Sequence, residues 1–335
     1  MTSAAGSAAA HTRIAALSLA VAVVLLGVKS YAWLLTGSQA IFSDAAESIV
    51  NVVAAAFAFR VLAWAGQPAD REHPFGHGKL EFFSAAFEGG LVVAAAFAIL
   101  WQATDALIDG SKPQQLDVGL MLTFGAGLAN GALGWLLVRH GRKHHSPAIE
   151  ADGHHVLSDF VTSLGVVVGL LAVHVTGVWW LDPALAGLMG LWLLRTGWRL
   201  VRVSVGALLD EEDPAFVQRL VTMLEPHVRD GFIRIHQLRA IRAGRFHHIS
   251  AHLVVPEYWP VSRAHAAADQ LAGKVLAEFE GEGDIDFHTD PCERKYCAAC
   301  DLADCPVRAA AFVGRSPLTV EEAVAPDPAS HVPAG

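Results

Sequence analysis

Six stretches of this chain, Ile14–Leu35, Gln39–Trp64, Phe82–Ile108, Leu116–Val138, His155–Val178 and Trp180–Val201, are long and apolar enough to cross a bilayer. A crossing takes about 20 residues of helix, and a helix is one of only two ways to satisfy the backbone inside hydrocarbon. The runs therefore commit the chain to an α-helical membrane protein with six transmembrane helices. Composition agrees: 53% of residues are hydrophobic, 17% are charged and the mean hydropathy is +0.39, which is too apolar for an ordinary soluble protein. The first stretch exceeds a signal-peptide core, lacks a small-residue cleavage site and leads into five further spans. It is expected to stay in the mature protein.

Basic residues set the expected orientation. Arg13 precedes the first span, Arg60, Arg71 and Lys79 flank the second connection, Arg139, Arg142 and Lys143 sit in the fourth, and Arg199 and Arg202 close the sixth span. The first and fifth connections carry none, and the third has only Lys112. This pattern predicts a multi-pass protein of the cell inner (plasma) membrane with both termini cytoplasmic. Lys29 lies inside the first span, where its long side chain is expected to snorkel to the nearer interface.

Two spans carry polar residues on one helical face: Asp44, Glu47 and Asn51 in one, Asp152, His155 and Asp159 in the other. Spacings of three, four and seven residues align each trio, and ionisable groups in a membrane are costly unless they face a cavity or a partner. Two such faces turned toward each other make an oxygen- and nitrogen-lined box, which is a cation site. Interhelical hydrogen bonding accounts equally well for Asp44, Asn51 or Asp152 taken singly. Glu47, His155 and Asp159 together demand more than packing. Asp44 and Asp152 lie a turn toward the cavity mouth and are secondary candidates.

After Asp210 the composition becomes that of a soluble domain, with a boundary near Gly206–Pro214. Periodicity predicts helices over Pro214–Arg229 and Val261–Phe279 and strands over Phe232–Ile241, Phe246–Val255 and Asp284–His288. That is a small cytoplasmic α+β unit of the ferredoxin-like (metallochaperone-like) kind. The segment from Ser316 to Gly335 is rich in Pro and Ala without apolar periodicity and is expected to be disordered. A net charge of −9, with no basic face, argues against nucleic acid.

The string His73-Pro74-Phe75-Gly76-His77-Gly78-Lys79 resembles a signature of the cation diffusion facilitator family, and six spans followed by a small C-terminal domain match it too. The resemblance covers about Ile14 to Cys292. It implies a homodimeric metal/proton antiporter that exports divalent cations, most often zinc, and dimerises through the C-terminal domain. It implies a transport site of Glu47 with Asn51 and His155 with Asp159. The commonest first pair in the family is Asp or His followed by Asp, so a longer acid and a neutral amide replace it here. Three oxygen ligands and one imidazole are harder than a thiolate site without excluding zinc, and Fe2+, Mn2+, Co2+, Ni2+ or Cd2+ remain possible cargo. The expected domains are a cytoplasmic segment over 1–13, a transport domain over 14–205, a cytoplasmic metal-binding dimerisation domain over 206–313 and a disordered tail over 314–335.

Other residues point to resident metal. Asp70, His73 and His77 supply one carboxylate and two imidazoles within eight residues, enough for a three-ligand zinc site, and some relatives bind metal there. Two histidines in a Pro- and Gly-rich turn can equally be solvated polar residues. Lys79, by resemblance, pairs with Asp210, and the other reading anchors it to membrane phosphates. Strand alternation puts His248 and His252 on one face and His236 on the polar face of its own strand. His236, His252, His265, His288 and Asp290 match the ligands of a binuclear zinc site in bacterial members, a structural or regulatory site that can crosslink two cytoplasmic domains. His140, His144 and His145 could gather metal weakly, although a solvated basic loop explains them too.

The four cysteines fall together as Cys292-x4-Cys297-x2-Cys300-x4-Cys305. In a cytoplasmic domain a thiolate metal site is the better reading than disulfides. A tetrahedral zinc site leads. An iron–sulfur cluster shares the first spacings, free thiols are the third reading, and Cys292 alternatively joins the binuclear site. The mechanism expected is alternating access, with inward protons discharging the metal and His155 as the exchanger. A membrane metal sensor and an intramembrane metalloenzyme are the rivals, the latter lacking a zincin-type motif or an obvious general base.

Overall fold

The computed structural model describes residues 2–326 except 66, 111–112, 144–146, 245 and 280–281, and it leaves out the side chains of 2–16, 58–59, 62–63, 141 and 147–152. Expectations for His144, His145, the Asp152 side chain and residues 327–335 lie outside the described residues. The chain divides into two compact units, residues 1–63 with 83–204 and residues 64–82 with 205–335.

The first unit is built from long helices: α1 (Thr2–Thr36), α2 (Gln39–Ala65), α3 (Leu80–Asp109), α4 (Leu116–Lys143), α5 (Pro147–Thr176) and α6 (Leu181–Leu208). By length and composition α1 to α5 can cross a membrane. Helix α6 has 28 residues, but Arg195, Arg199 and Arg202 dilute its apolar run. Trp101, Ile108, Met121 and Val175 are each at least 75% exposed, which is costly in water and favourable in hydrocarbon. Glycines let α4 and α5 approach closely: a Cβ on Gly134 would lie 2.9 Å from the Leu157 nitrogen, and one on Gly153 only 2.6 Å from the Val138 nitrogen. Close backbone approach through small residues is how helices gain contact area where water cannot drive them together.

Lys29 does not snorkel. It is 1% exposed, and its Nζ lies 2.9 Å from Asp44 Oδ1 and donates to Ser48 Oγ at 3.0 Å. Ser163 Oγ of α5 donates to the same Asp44 oxygen at 2.8 Å. Asp44, expected as a secondary ligand, is thus the counter-ion of Lys29 and ties α1, α2 and α5 together. A second carboxylate, Asp182 of α6, accepts from Ser38 Oγ at 2.6 Å and from the backbone N–H groups of Gln39 and Ala40 at 2.7 and 3.2 Å. It satisfies donors that the first turn of α2 cannot satisfy within the helix.

The second unit holds α7 (Pro214–Leu224), β1 (Arg234–Ala243), β2 (Phe246–Val255), α8 (Val261–Glu278), β3 (Glu282–Pro291) and α9 (Val320–Val324). Asp213 caps α7, accepting from the Ala215 and Phe216 amides. Strands lie in the order β1-β2-β3, with β1 antiparallel and β3 parallel to β2. Val217, Leu220 and Leu224 of α7 and Leu271 and Val275 of α8 bury against Ile235, Leu253 and Ile285 of the sheet. The expected α+β unit is therefore a three-stranded one. Its β3 is longer than the predicted Asp284–His288 because ladder pairing with β2 continues from Glu282 to Pro291.

One expectation is corrected. Residues 314–326 are not a disordered tail: Leu318 and Ala323 join the core, and Glu322 lies 3.0 Å from Arg234, both side chains nearly inaccessible. A buried guanidinium needs an acid, and this one recruits it from the C-terminal segment. By its contacts the loop over 64–82 groups with residues 205–335. Lys79 Nζ lies 2.8 Å from Asp210 Oδ1, and the Phe75 ring meets His248 edge-on at 5.0 Å. A Cβ on Gly78 would lie 2.2 Å from the Ala243 carbonyl oxygen, so that position of the signature string has no room for a side chain.

Because Lys29 and Asp44 neutralise each other, their removal should be strongly non-additive. Lys29→Met alone should destabilise the purified protein by about 3–5 kcal/mol, and Lys29→Met with Asp44→Asn should recover most of that. Thermal unfolding in detergent tests this, and equal losses in the single and double variants would show that the pair is not coupled.

Candidate metal centres

The polar faces of α2 and α5 meet at one direct contact. Asn51 Nδ2 donates to Asp159 Oδ2 at 2.8 Å, and both side chains are half-buried. Glu47, one turn before Asn51, is half-buried within electrostatic range of Asp159 and Asp44. His155, one turn before Asp159, is exposed and within electrostatic range of it. The pair Asn51–Asp159 is brought together, while Glu47 and His155 stand near it without a direct bond to it. Asn51 can only donate to Asp159 through its amide nitrogen, so its carbonyl oxygen is the atom left to face a cation.

In the loop, Asp70 accepts from the Glu72 and His73 amides at 2.8 and 2.7 Å and lies 3.2 Å from His73 Nδ1. The His73 N–H, supported by that of Glu72, holds the Asp70 carboxyl below its ordinary pKa. His77 Nε2 stands 3.6 Å from Asp70 Oδ2. One ligand atom from each of Asp70, His73 and His77 lies within 4.8 Å of the others. Among the described residues His77 Nδ1 is buried without a hydrogen-bond partner, an orphan of the sort that a ligand could satisfy. The three residues fit a zinc ion in donor type and spacing.

The cytoplasmic site follows from strand register. His236 of β1 sits directly opposite His252 of β2, which sits opposite His288 of β3. Asp290, two residues farther on β3, falls on the same face. Asp290 Oδ2 lies 2.9 Å from both His236 Nε2 and His252 Nδ1, and His288 Nε2 is 3.4 Å from Asp290 Oδ1. Partial burial works against the Asp290 carboxylate, but the His252 and His236 hydrogen bonds outweigh it and hold its pKa below the ordinary value. Ligand atoms of His236, His252 and Asp290 cluster within 4.8 Å. His265 is not brought into that cluster; it is exposed on α8 and faces Asp269 at 3.4 Å. His248 pairs with Asp284 instead.

One participant was not legible in the sequence. His236 Nδ1 contacts the Pro326 carbonyl at 3.3 Å, and Gln237 Nε2 donates to the same oxygen. A carbonyl on Nδ1 fixes the proton there and leaves Nε2 as the metal-binding atom. Pro326 follows the short helix α9, 90 residues along the chain, and no local pattern points to it.

The four cysteines form no disulfide and line one cavity of about 10 Å³. Burial pushes Cys292 and Cys300 above the ordinary thiol pKa. Cys292 belongs with the other cysteines here, packing with Tyr296, Cys300 and Leu302. His140 ends α4 among the basic residues Arg142 and Lys143, and among the described residues it joins no cluster of three ligands.

Comparison with known proteins bears on the family of the chain. The model of the cation efflux transmembrane domain matches residues 15–209, and that of the cation efflux protein cytoplasmic domain matches residues 213–292. The chain is 37% identical over 280 residues to an uncharacterized transporter, sll1263, of Synechocystis, covering 83% of this chain and 90% of that one. It is 31% identical over 289 residues to the cation-efflux pump FieF of Pectobacterium atrosepticum, covering 84% and 92%. Against FieF of Cronobacter sakazakii it is 30% identical over 288 residues, covering 84% and 93%. With a helical membrane unit, a small α+β cytoplasmic unit and family models spanning most of its length, this chain belongs to the cation diffusion facilitator family of cation efflux transporters.

Proposed function

We propose that this protein exports a divalent cation, with Zn2+ the leading cargo, in exchange for protons by alternating access across the inner membrane, with both termini cytoplasmic. The observation that carries the reading is the 2.8 Å contact between Asn51 and Asp159, which joins the polar faces of α2 and α5 within the helical bundle. Glu47, Asn51, His155 and Asp159 would replace the water shell of the ion. Two carboxylates balance its double charge, while an amide and an imidazole complete the set without adding charge. His155 suits proton exchange, since protonating the imidazole removes a ligand and adds repulsion in one step. Fe2+, Mn2+, Co2+, Ni2+ and Cd2+ share this first-shell chemistry. Transporter family membership removes the metalloenzyme reading.

Resident metal at His236, His252 and Asp290, with His288 beside them, would stabilise the cytoplasmic unit and bias a homodimer formed through it. At Asp70, His73 and His77 it would staple a loop already held by Lys79 and Asp210.

Asp159→Ala should abolish metal flux in proteoliposomes under a pH gradient, because it removes an anionic ligand. Proton-coupled transport at the wild-type rate would sink the assignment. Asn51→Asp should change the ranking of metals and steepen the dependence on pH, since a third carboxylate adds charge and a protonatable group. An unchanged ranking and pH profile in a metal-panel assay would put Asn51 outside the ligand set.

A further inference from the structure

We propose that Cys292, Cys297, Cys300 and Cys305 hold one structural zinc ion that clasps the segment following β3 onto the cytoplasmic unit. The family model of the cytoplasmic domain ends at residue 292, so three of the four cysteines lie beyond that match. The site is independent of the transport reading.

The four thiols reach one cavity from different directions. Cys292 follows β3, and its N–H extends the ladder by donating to the Val255 carbonyl at 2.8 Å. Cys297 ends the short 3-10 turn Arg294–Tyr296, Cys300 follows three residues later and Cys305 closes the return. At about 10 Å³ the cavity admits the centre of roughly one water-sized sphere. That is room enough for a single ion at the centre of the four sulfurs.

Burial works against a charged sulfur, and hydrogen-bond donors set around the cavity oppose that effect. Backbone N–H groups face three of the sulfurs: Glu257 faces Cys292, Ala309 donates to Cys297 Sγ at 3.3 Å, and Leu302 faces Cys300. Neutral thiols do not need such donors, whereas a negative sulfur is stabilised by them. The Arg308 guanidinium donates to the carbonyls of Cys297 and Cys300 at 3.2 and 3.1 Å and to that of Leu302. Its charge offsets part of the net double negative charge that four thiolates and one Zn2+ would carry.

The segment also needs a crosslink. Between β3 and residue 315 the regular structure among the described residues is one three-residue 3-10 turn, and the apolar contacts are a small cluster around Ile233, Val254 and Tyr296. Ordering so much irregular chain has a large entropic cost, and a reducing cytoplasm disfavours disulfides. The sulfurs do not form a cluster with three ligand atoms inside 4.8 Å, so ligation draws the turns inward. As each sulfur–zinc bond forms, the thiol releases its proton to solvent and the ion sheds a water. No oxidation state changes.

The test uses the full-length protein purified with Zn2+. In the wild type all four thiols should resist N-ethylmaleimide and become reactive after strong chelation. Cys305→Ser and Cys300→Ser should each retain about one zinc fewer per protomer after mild chelation. Co2+ in place of zinc should give the sulfur-to-cobalt charge-transfer and tetrahedral bands of a four-thiolate site in wild type, altered in both variants. Rapid alkylation of all four thiols in zinc-replete wild type would overturn the proposal, and that measurement does not depend on either variant folding. Iron with acid-labile sulfide, or equal zinc retention in wild type and variants, would overturn it as well.

Discussion

An ionised group in a low-dielectric bundle must be paired, hydrated or ligated, and the helices of this protein are arranged around that requirement. Lys29 brings a positive charge into α1, and Asp44 and Ser48 of α2 meet it. Asp182 brings a negative charge to the start of α6, and the open amides of α2 meet that. Both arrangements fix α2, the helix that carries Glu47 and Asn51. Asp159 is served differently. It faces a neutral amide, which stabilises the carboxylate without cancelling its charge. Had a second acid stood at position 51, the two would repel each other until an ion arrived. The amide makes the contact self-supporting, and in the proposed transport site it leaves two carboxylates against the two charges of the cargo.

The cytoplasmic unit solves a different problem with backbone register. Three histidines widely separated in sequence form one row because β1 and β3 pair with β2 at the same level. Alternation places Asp290 on that face, where a single carboxylate oxygen touches two of the rings. On the opposite face the same alternation buries Ile235, Leu253 and Ile285 under α7 and α8. Packing energy on one face thus holds ligand geometry on the other.

What the sequence revealed follows from the range of each signal. Apolar runs and strand alternation are local, so the order of the long helices, together with β2 and α8, was legible, although α1 begins at Thr2 and not Ile14, and α5 at Pro147 and not His155. The polar faces of α2 and α5 were legible because helical spacing repeats. Pairings across helices were not: nothing near Lys29 announces Asp44, fifteen residues on, or Ser163 in α5. A five-residue helix such as α9 has no measurable period, and its anchor is an ion pair to Arg234, 88 residues away. For the same reason the tail looked disordered. His265 stands apart, its ring beside Asp269 on α8 and outside the group formed by His236, His252 and Asp290.

The end of β3 is where these threads join. His288 and Asp290 occupy alternate positions there, and Cys292 continues the alternation beyond the last paired residue. The chain then turns through the cysteine segment, passes Ser316, whose carbonyl accepts from Arg234 at 3.0 Å, and returns as α9 to put the Pro326 carbonyl on His236 Nδ1. The segment that leaves the histidine row therefore comes back to orient one member of it. Fixing both ends of that path, with thiolates on zinc at one and the Arg234–Glu322 pair at the other, would hold the imidazole ready at no entropic cost when metal binds. A family domain without this extension would have to order that ring by other means.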